Sequence, residues 1–182
     1  GRGGVLCAAA DAGVRMTTGA SAPTVVLVDD DRHVLKAQAR LLREHGFQTV
    51  LFESAEDFLA QHDTSTPGCL VLDVNLPGLD GLALQRRMAD VGPSLPIVFL
   101  TGNGDIPMSV QAVKAGAVDF LTKPVAGATF LAAVRAAVAQ DALARLARDD
   151  ETTLRQRYAR LTAREREVLA GLAAGKLNKQ IA

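Results

Sequence analysis

The sequence contains no tryptophan, one tyrosine (Tyr158) and six phenylalanines, so any core it builds must be mainly aliphatic. Cysteine is equally scarce. Cys7 lies in a Gly/Ala-rich stretch and Cys69 in an apolar run, with no CxxC pattern near either. That excludes a disulfide framework and a zinc site, and makes a reducing, cytoplasmic location the expectation. No apolar run is long enough to cross a bilayer, so no membrane partner is expected. A signal peptide needs an uninterrupted apolar segment, and Asp11 and Arg15 break the only early candidate. Gly1–Ala22 is read as a disordered leader, with Met16 a candidate native start. Net charge is also lacking, since twenty basic residues balance twenty acidic ones.

What is present is 182 residues, 48% hydrophobic and rich in alanine, enough for one full domain and part of a second. The balanced charge conceals an asymmetry. Residues 155–182 hold seven lysines and arginines against two glutamates, a net of +5, which leaves −5 for residues 1–154. An acidic front and a basic tail suggest two modules, the second facing nucleic acid, although an Arg-rich solvated helix gives the same count.

From Thr24 the apolar pattern alternates between short β-branched runs and amphipathic stretches. Strands are expected at Thr24–Val28, Gln48–Phe52, Cys69–Leu72, Pro96–Leu100 and Val118–Leu121. The helices between them carry their own start signals in Asp31, the Ser54-to-Asp57 capping box, Asp80 and Asp105. Five apolar strands alternating with helices predict an α/β fold, a doubly wound five-stranded parallel sheet, taken here in the order 2-1-3-4-5 that sets strands one, three, four and five side by side. Sites in such sheets lie at the carboxyl ends of the strands. From about Ala128 to Arg160 neither Pro nor Gly interrupts the chain, which predicts one long helix or two broken near Asp149–Thr153. Leu131, Val134 and Val138 form its apolar stripe, continued out of phase by Leu143 and Leu146.

The residues that follow the strands carry the chemistry. Asp29, Asp30 and Asp31 follow the first strand, Asp73 the third, Thr101 the fourth and Lys123 the fifth, so the topology brings them to one edge. Clustered carboxylates repel, and a hard divalent cation relieves the conflict; Mg²⁺ takes one or two carboxylates together with a phosphate. Asp73 is then a carboxylate nucleophile able to form an aspartyl-phosphate. Lys123 would neutralise the phosphoryl oxygens, Thr101 would donate a hydroxyl, and Gly102 would leave room beside the group.

The stretches VVLVDDD (25–31), CLVLDVNLPGLDG (69–81) and IVFLTGNGDIPMSVQAVKAGAVDFLTKP (97–124) closely resemble the receiver domain of two-component response regulators, in the FixJ/StyR/TodT-like subgroup. The resemblance implies that Asp73 accepts a phosphoryl group from a sensor histidine kinase. It implies further that Asp30 binds Mg²⁺ directly, Asp29 mainly through water and Asn75 through its backbone carbonyl, and that Phe120 is an aromatic switch. Phosphorylation would then remodel the face of helix four, strand five and helix five and favour a homodimer. Val125 departs from the Phe common after Lys-Pro in this subgroup, which bears on packing near the linker.

The tail LTAREREVLAGLAAGKLNKQIA (161–182) begins a helix at the Thr162/Glu165 capping box, with Val168, Leu169 and Leu172 apolar, a stop at Gly175 and a new start at Asn178. It resembles the NarL/LuxR-type helix-turn-helix domain, whose recognition helix would follow Ala182. The expected layout is a leader (1–22), a receiver (23–140), a linker helix (141–160) and a truncated DNA-binding domain (161–182). The function implied is a regulator, not an enzyme beyond Mg²⁺-dependent self-phosphotransfer and autodephosphorylation, that switches a DNA-binding output. The alternative is an interaction-only receiver acting as a phosphate sink or dimerising decoy. A haloacid-dehalogenase-like phosphatase would need a second Asp where Asn75 stands, and dinucleotide binding would need GxGxxG where DDDRHV stands.

Overall fold

A computed structural model describes residues 22–61, 63, 66–91, 95–102 and 106–173. The elements in chain order are β1 (Thr24–Val28), α1 (Arg32–Glu44), β2 (Gln48–Phe52), α2 (Ala55–Gln61), β3 (Gly68–Asp73), α3 (Gly81–Val91), β4 (Ile97–Thr101), α4 (Ile106–Lys114), β5 (Asp119–Thr122), α5 (Gly127–Ala159) and α6 (Ala163–Ala173). The sheet has the order β2-β1-β3-β4-β5, with every pairing parallel. This is the expected doubly wound arrangement. β1 and β2 fall where the apolar runs put them, while β4 and β5 each sit one residue further on and β3 extends to include Asp73.

β1, β3 and β4 are buried along their whole length, because helices cover both faces of the sheet. Alternate residues of one strand enter opposite layers. Val26, Val28, Leu70, Leu72 and Phe99 pack with Phe58, Leu84 and Met88 on one side. Val25, Leu27, Val71, Val98 and Leu100 pack with Leu35, Leu42, Phe130 and Val134 on the other. Each such side chain contributes about 1.5–3 kcal/mol by leaving water. The caps work as their residue types predict. Asp31 accepts the amides of His33 and Val34, Ser54 accepts that of Asp57, and Asp80 accepts that of Ala83. Asp105, and Gly175 and Asn178 in the tail, lie outside the described residues.

α5 is a single helix of 33 residues, about 50 Å long, with no break near Asp149–Thr153. Its buried stripe differs from the apolar pattern. Phe130, Leu131, Ala133, Val134, Ala137 and Asp141 are buried, whereas Leu143 and Leu146 are 69% and 62% exposed. The stripe keeps its phase through polar residues: Asp141, then the half-buried Arg145 and Arg148. After a short turn, α6 begins at the predicted capping box. The Thr162 amide donates to Glu165 Oε2 (2.7 Å) and the Glu165 amide to Thr162 Oγ1 (3.3 Å). Among the described residues no helix is long and apolar enough to cross a membrane.

Candidate functional site

Strand register gathers the singled-out residues. Asp73 closes β3 beside Leu100 of β4, which puts Thr101 one residue beyond. Thr101 pairs with Thr122 of β5, and Lys123 is the next residue. Asp29 leaves β1 with its amide still bonded to the Phe52 carbonyl (3.2 Å). All four therefore open onto the same carboxyl edge, as the topology requires.

Carboxylate oxygens of Asp29, Asp30 and Asp73 lie within 4.8 Å of one another. Asp29, Asp73 and Thr101 are buried while Asp30 is exposed. The Lys123 ammonium donates to Asp29 Oδ2 (2.6 Å) and to Asp73 Oδ2 (2.8 Å). Backbone amides fix the other oxygens: Asp31 N–H donates to Asp29 Oδ1 (3.0 Å) and Asn75 N–H to Asp73 Oδ1 (3.1 Å). The Asn75 side-chain amide donates to Thr101 Oγ1 at 3.4 Å.

Three carboxylates against one ammonium leave a local charge of −2. Burial pushes the Asp29 carboxyl above its usual range, because desolvation outweighs the bonds from Lys123 and the Asp31 amide. Burial opposes the Lys123 charge too, but there the two carboxylates win and hold its pKa above the usual lysine value. An all-oxygen donor set with two surplus negative charges fits a hard divalent cation such as Mg²⁺.

Gly102 and Gly81 play different steric parts. A Cβ added at Gly102 would meet nothing within 4 Å, so the space beside Thr101 is open as expected. At Gly81 it would come to 2.5 Å from the Asp73 carbonyl oxygen, so only glycine lets α3 start against the loop after Asp73. Gly81 carries no periodic signal in the sequence, only its place directly after the Asp80 cap. Glu56, equally unmarked in the sequence, accepts the Leu79 amide on its carboxylate (3.1 Å) and steadies that loop. Phe120 is half-buried and packs on the inner cluster, its ring 6.1 Å from Phe99 at 44°. It flanks an open apolar recess formed with Val110 and Val113 of α4.

A family model described as the response regulator receiver domain matches residues 25–135, a span that holds every site residue above. The chain belongs to the response regulators. A second model, described as bacterial regulatory proteins of the luxR family, matches residues 159–182 of this response regulator. Its relatives include the response regulator protein TodT of Pseudomonas putida, 42% identical over 161 residues, covering 88% of this chain and 71% of TodT. The transcriptional regulatory protein FixJ of Rhizobium meliloti is 40% identical over 159 residues, covering 87% of this chain and 78% of FixJ. Among solved structures, the response regulator StyR superposes with a TM-score of 0.81 at 42% identity, covering 89% of this chain and 82% of StyR. The protein is a phosphorylation-dependent transcriptional response regulator, with a receiver and a LuxR-type DNA-binding segment. Its role is regulatory, with a sensor kinase and DNA as the implied partners.

Proposed function

We propose that Asp73 is the phosphoacceptor of this response regulator and that residues 23–140 form the receiver, 141–160 the linker and 161–182 part of the DNA-binding output. The observation that carries the reading is the Lys123 ammonium 2.8 Å from Asp73 Oδ2, within a cluster of three carboxylates at the strand ends. Asp73 is held at Oδ1 by the Asn75 amide and at Oδ2 by Lys123, which fixes the rotation of the carboxylate that would attack phosphorus. Asp29, Asp30, Asp73 and the Asn75 backbone carbonyl would hold Mg²⁺, which supplies charge neutralisation when bound.

The step is an in-line displacement. An Asp73 oxygen bonds to phosphorus as the P–N bond of the kinase phosphohistidine breaks, and the imidazole nitrogen keeps the electron pair and takes a proton. Lys123 neutralises charge on the phosphoryl oxygens and the Thr101 hydroxyl donates to one of them. Attack of water on phosphorus later returns the carboxylate and inorganic phosphate. Movement of Thr101 toward the phosphoryl group makes room for Phe120 to turn inward, and the recess between α4 and β5 is reshaped into a surface for a second copy. A phosphate sink or dimerising decoy would have no use for a LuxR-type segment, which favours the transcriptional reading.

Incubation with a small phosphodonor and Mg²⁺ is expected to add one phosphate and, by light scattering, to shift the chain toward a dimer. Asp73→Asn is expected to lose both responses. Unchanged phosphate uptake in that variant overturns the assignment.

A further inference from the structure

The last buried residue of α5 is a carboxylate. Asp141 is 2% exposed and follows Phe130, Val134 and Ala137 on the helix face that packs against the sheet. Ala137 fills the preceding position of this face, so the charge at 141 interrupts an otherwise apolar stripe. A buried charge is costly unless bonded, and it offers geometric definition more readily than stability. Asp141 is engaged by a backbone amide and by arginine. Its Oδ2 accepts the Gly68 amide (2.9 Å) and Arg145 Nε (2.6 Å). Arg145 also donates from Nη2 to the Thr66 carbonyl (3.0 Å), and Arg148 Nη2 lies 4.0 Å from Asp141 Oδ1.

The partner strand end is stiff. Gly68 opens β3 at φ +154°, and a Cβ there would come to 1.8 Å from the Thr24 carbonyl oxygen. The chain around it is tied on both sides, by Thr24 N–H to the Pro67 carbonyl (3.1 Å) and Leu70 N–H to the Pro96 carbonyl (2.9 Å). The same strand ends at Asp73, so the amino end of β3 is a fixed reference point of the domain. Beyond Arg148 every residue of α5 is exposed.

We propose that Asp141, through Arg145 and the Gly68 amide, is a positioning residue that latches α5 to the amino end of β3 and so sets the direction in which the rest of the helix leaves the domain. The first half of α5 and the sheet then move as one body, and independent motion of the linker begins after Arg148. The hydrogen bonds to backbone at residues 66 and 68 fix both the tilt and the rotation of the helix, which apolar packing alone leaves loosely defined.

The test uses the full chain with Cys7→Ser, nitroxide labels at Lys36→Cys on α1 and Thr153→Cys on α5, and pulsed distance measurement. The parent is expected to give one narrow distance distribution. Asp141→Asn and Arg145→Gln are each expected to broaden or shift it, and the double variant to go no further than the worse single one, as for residues acting through one contact. Phosphate uptake at Asp73, at the opposite edge of the sheet, is expected to stay unchanged, which separates loss of alignment from general damage. Hydrogen exchange of the Gly68 amide is expected to rise by about tenfold or more in Asp141→Ala. Should Asp141→Ala fail to fold, the two conservative variants carry the test. A distribution unchanged in both single variants, or broadening that simply adds in the double, overturns the latch.

Discussion

Asp29 shows at the scale of one side chain what the site costs the fold. Its carboxyl is 2% exposed and its pKa is raised by burial, so the ionised form is disfavoured in the folded chain relative to the unfolded one. A group with a raised folded pKa contributes stability below its unfolded value, here 3.8, and loses that contribution as pH rises through the folded value. At neutral pH the charge therefore counts against folding in metal-free buffer. Asp29→Asn is expected to be more stable than the parent to urea at pH 7, and to match it once pH falls below the carboxylate range. Equal stability at pH 7 would show that Lys123 compensates the burial fully. The same residue scale explains which site members were legible. Asp29, Asp73, Thr101 and Lys123 stand directly after apolar strands, and period-two burial plus parallel topology leaves them one destination. Gly81 and Glu56 act through a loop whose path no periodicity encodes. Cys69 behaves as its apolar run suggests: burial, with Asp141 nearby, pushes its thiol up to about 12, leaving it inert at neutral pH.

At the scale of elements, caps and glycines announced most of the helices, because they satisfy specific orphan amides near in sequence. α6 is the clearest case. Glu165 bonds the Thr162 amide and hydroxyl, which holds its carboxyl below the usual glutamate range. A lowered folded pKa contributes stability above the unfolded value of 4.5, lost as pH falls through the folded value. Helicity of a peptide spanning residues 159–182 is expected to drop on acidification through this range, and Glu165→Gln to flatten the profile in circular dichroism. A profile unaffected by Glu165→Gln would detach the cap from the titration. α5 was only partly legible. Its length followed from the absence of Pro and Gly, but the apolar pattern pointed to Leu143 and Leu146, which are exposed. The buried face continues through Asp141, Arg145 and Arg148, and hydrophobic periodicity is blind to a stripe made of charges. Their spacing of four and then three residues was the available signal.

At the scale of the whole molecule, the doubly wound parallel sheet followed from composition and alternation, since consecutive apolar strands joined by helices have few right-handed solutions, and the order 2-1-3-4-5 is one of those few. The division of charge between front and tail parallels the division into two matched families. The unbroken course of α5 to Ala159, with α6 starting four residues later, has one more consequence. A continuous helix converts sequence length into azimuth. Each residue added after Arg148 turns everything downstream by about 100° and carries it about 1.5 Å further, whereas seven residues restore the facing to within about 20°. In the intact regulator, one-residue and seven-residue helical insertions after Arg148 are expected to part company in a promoter reporter, the short one silencing the output and the long one sparing it. Equal effects would mean that the output domain does not read the angle at which it is presented. The linker would then be tolerant of composition yet intolerant of count, a constraint invisible to any comparison that scores residues one position at a time.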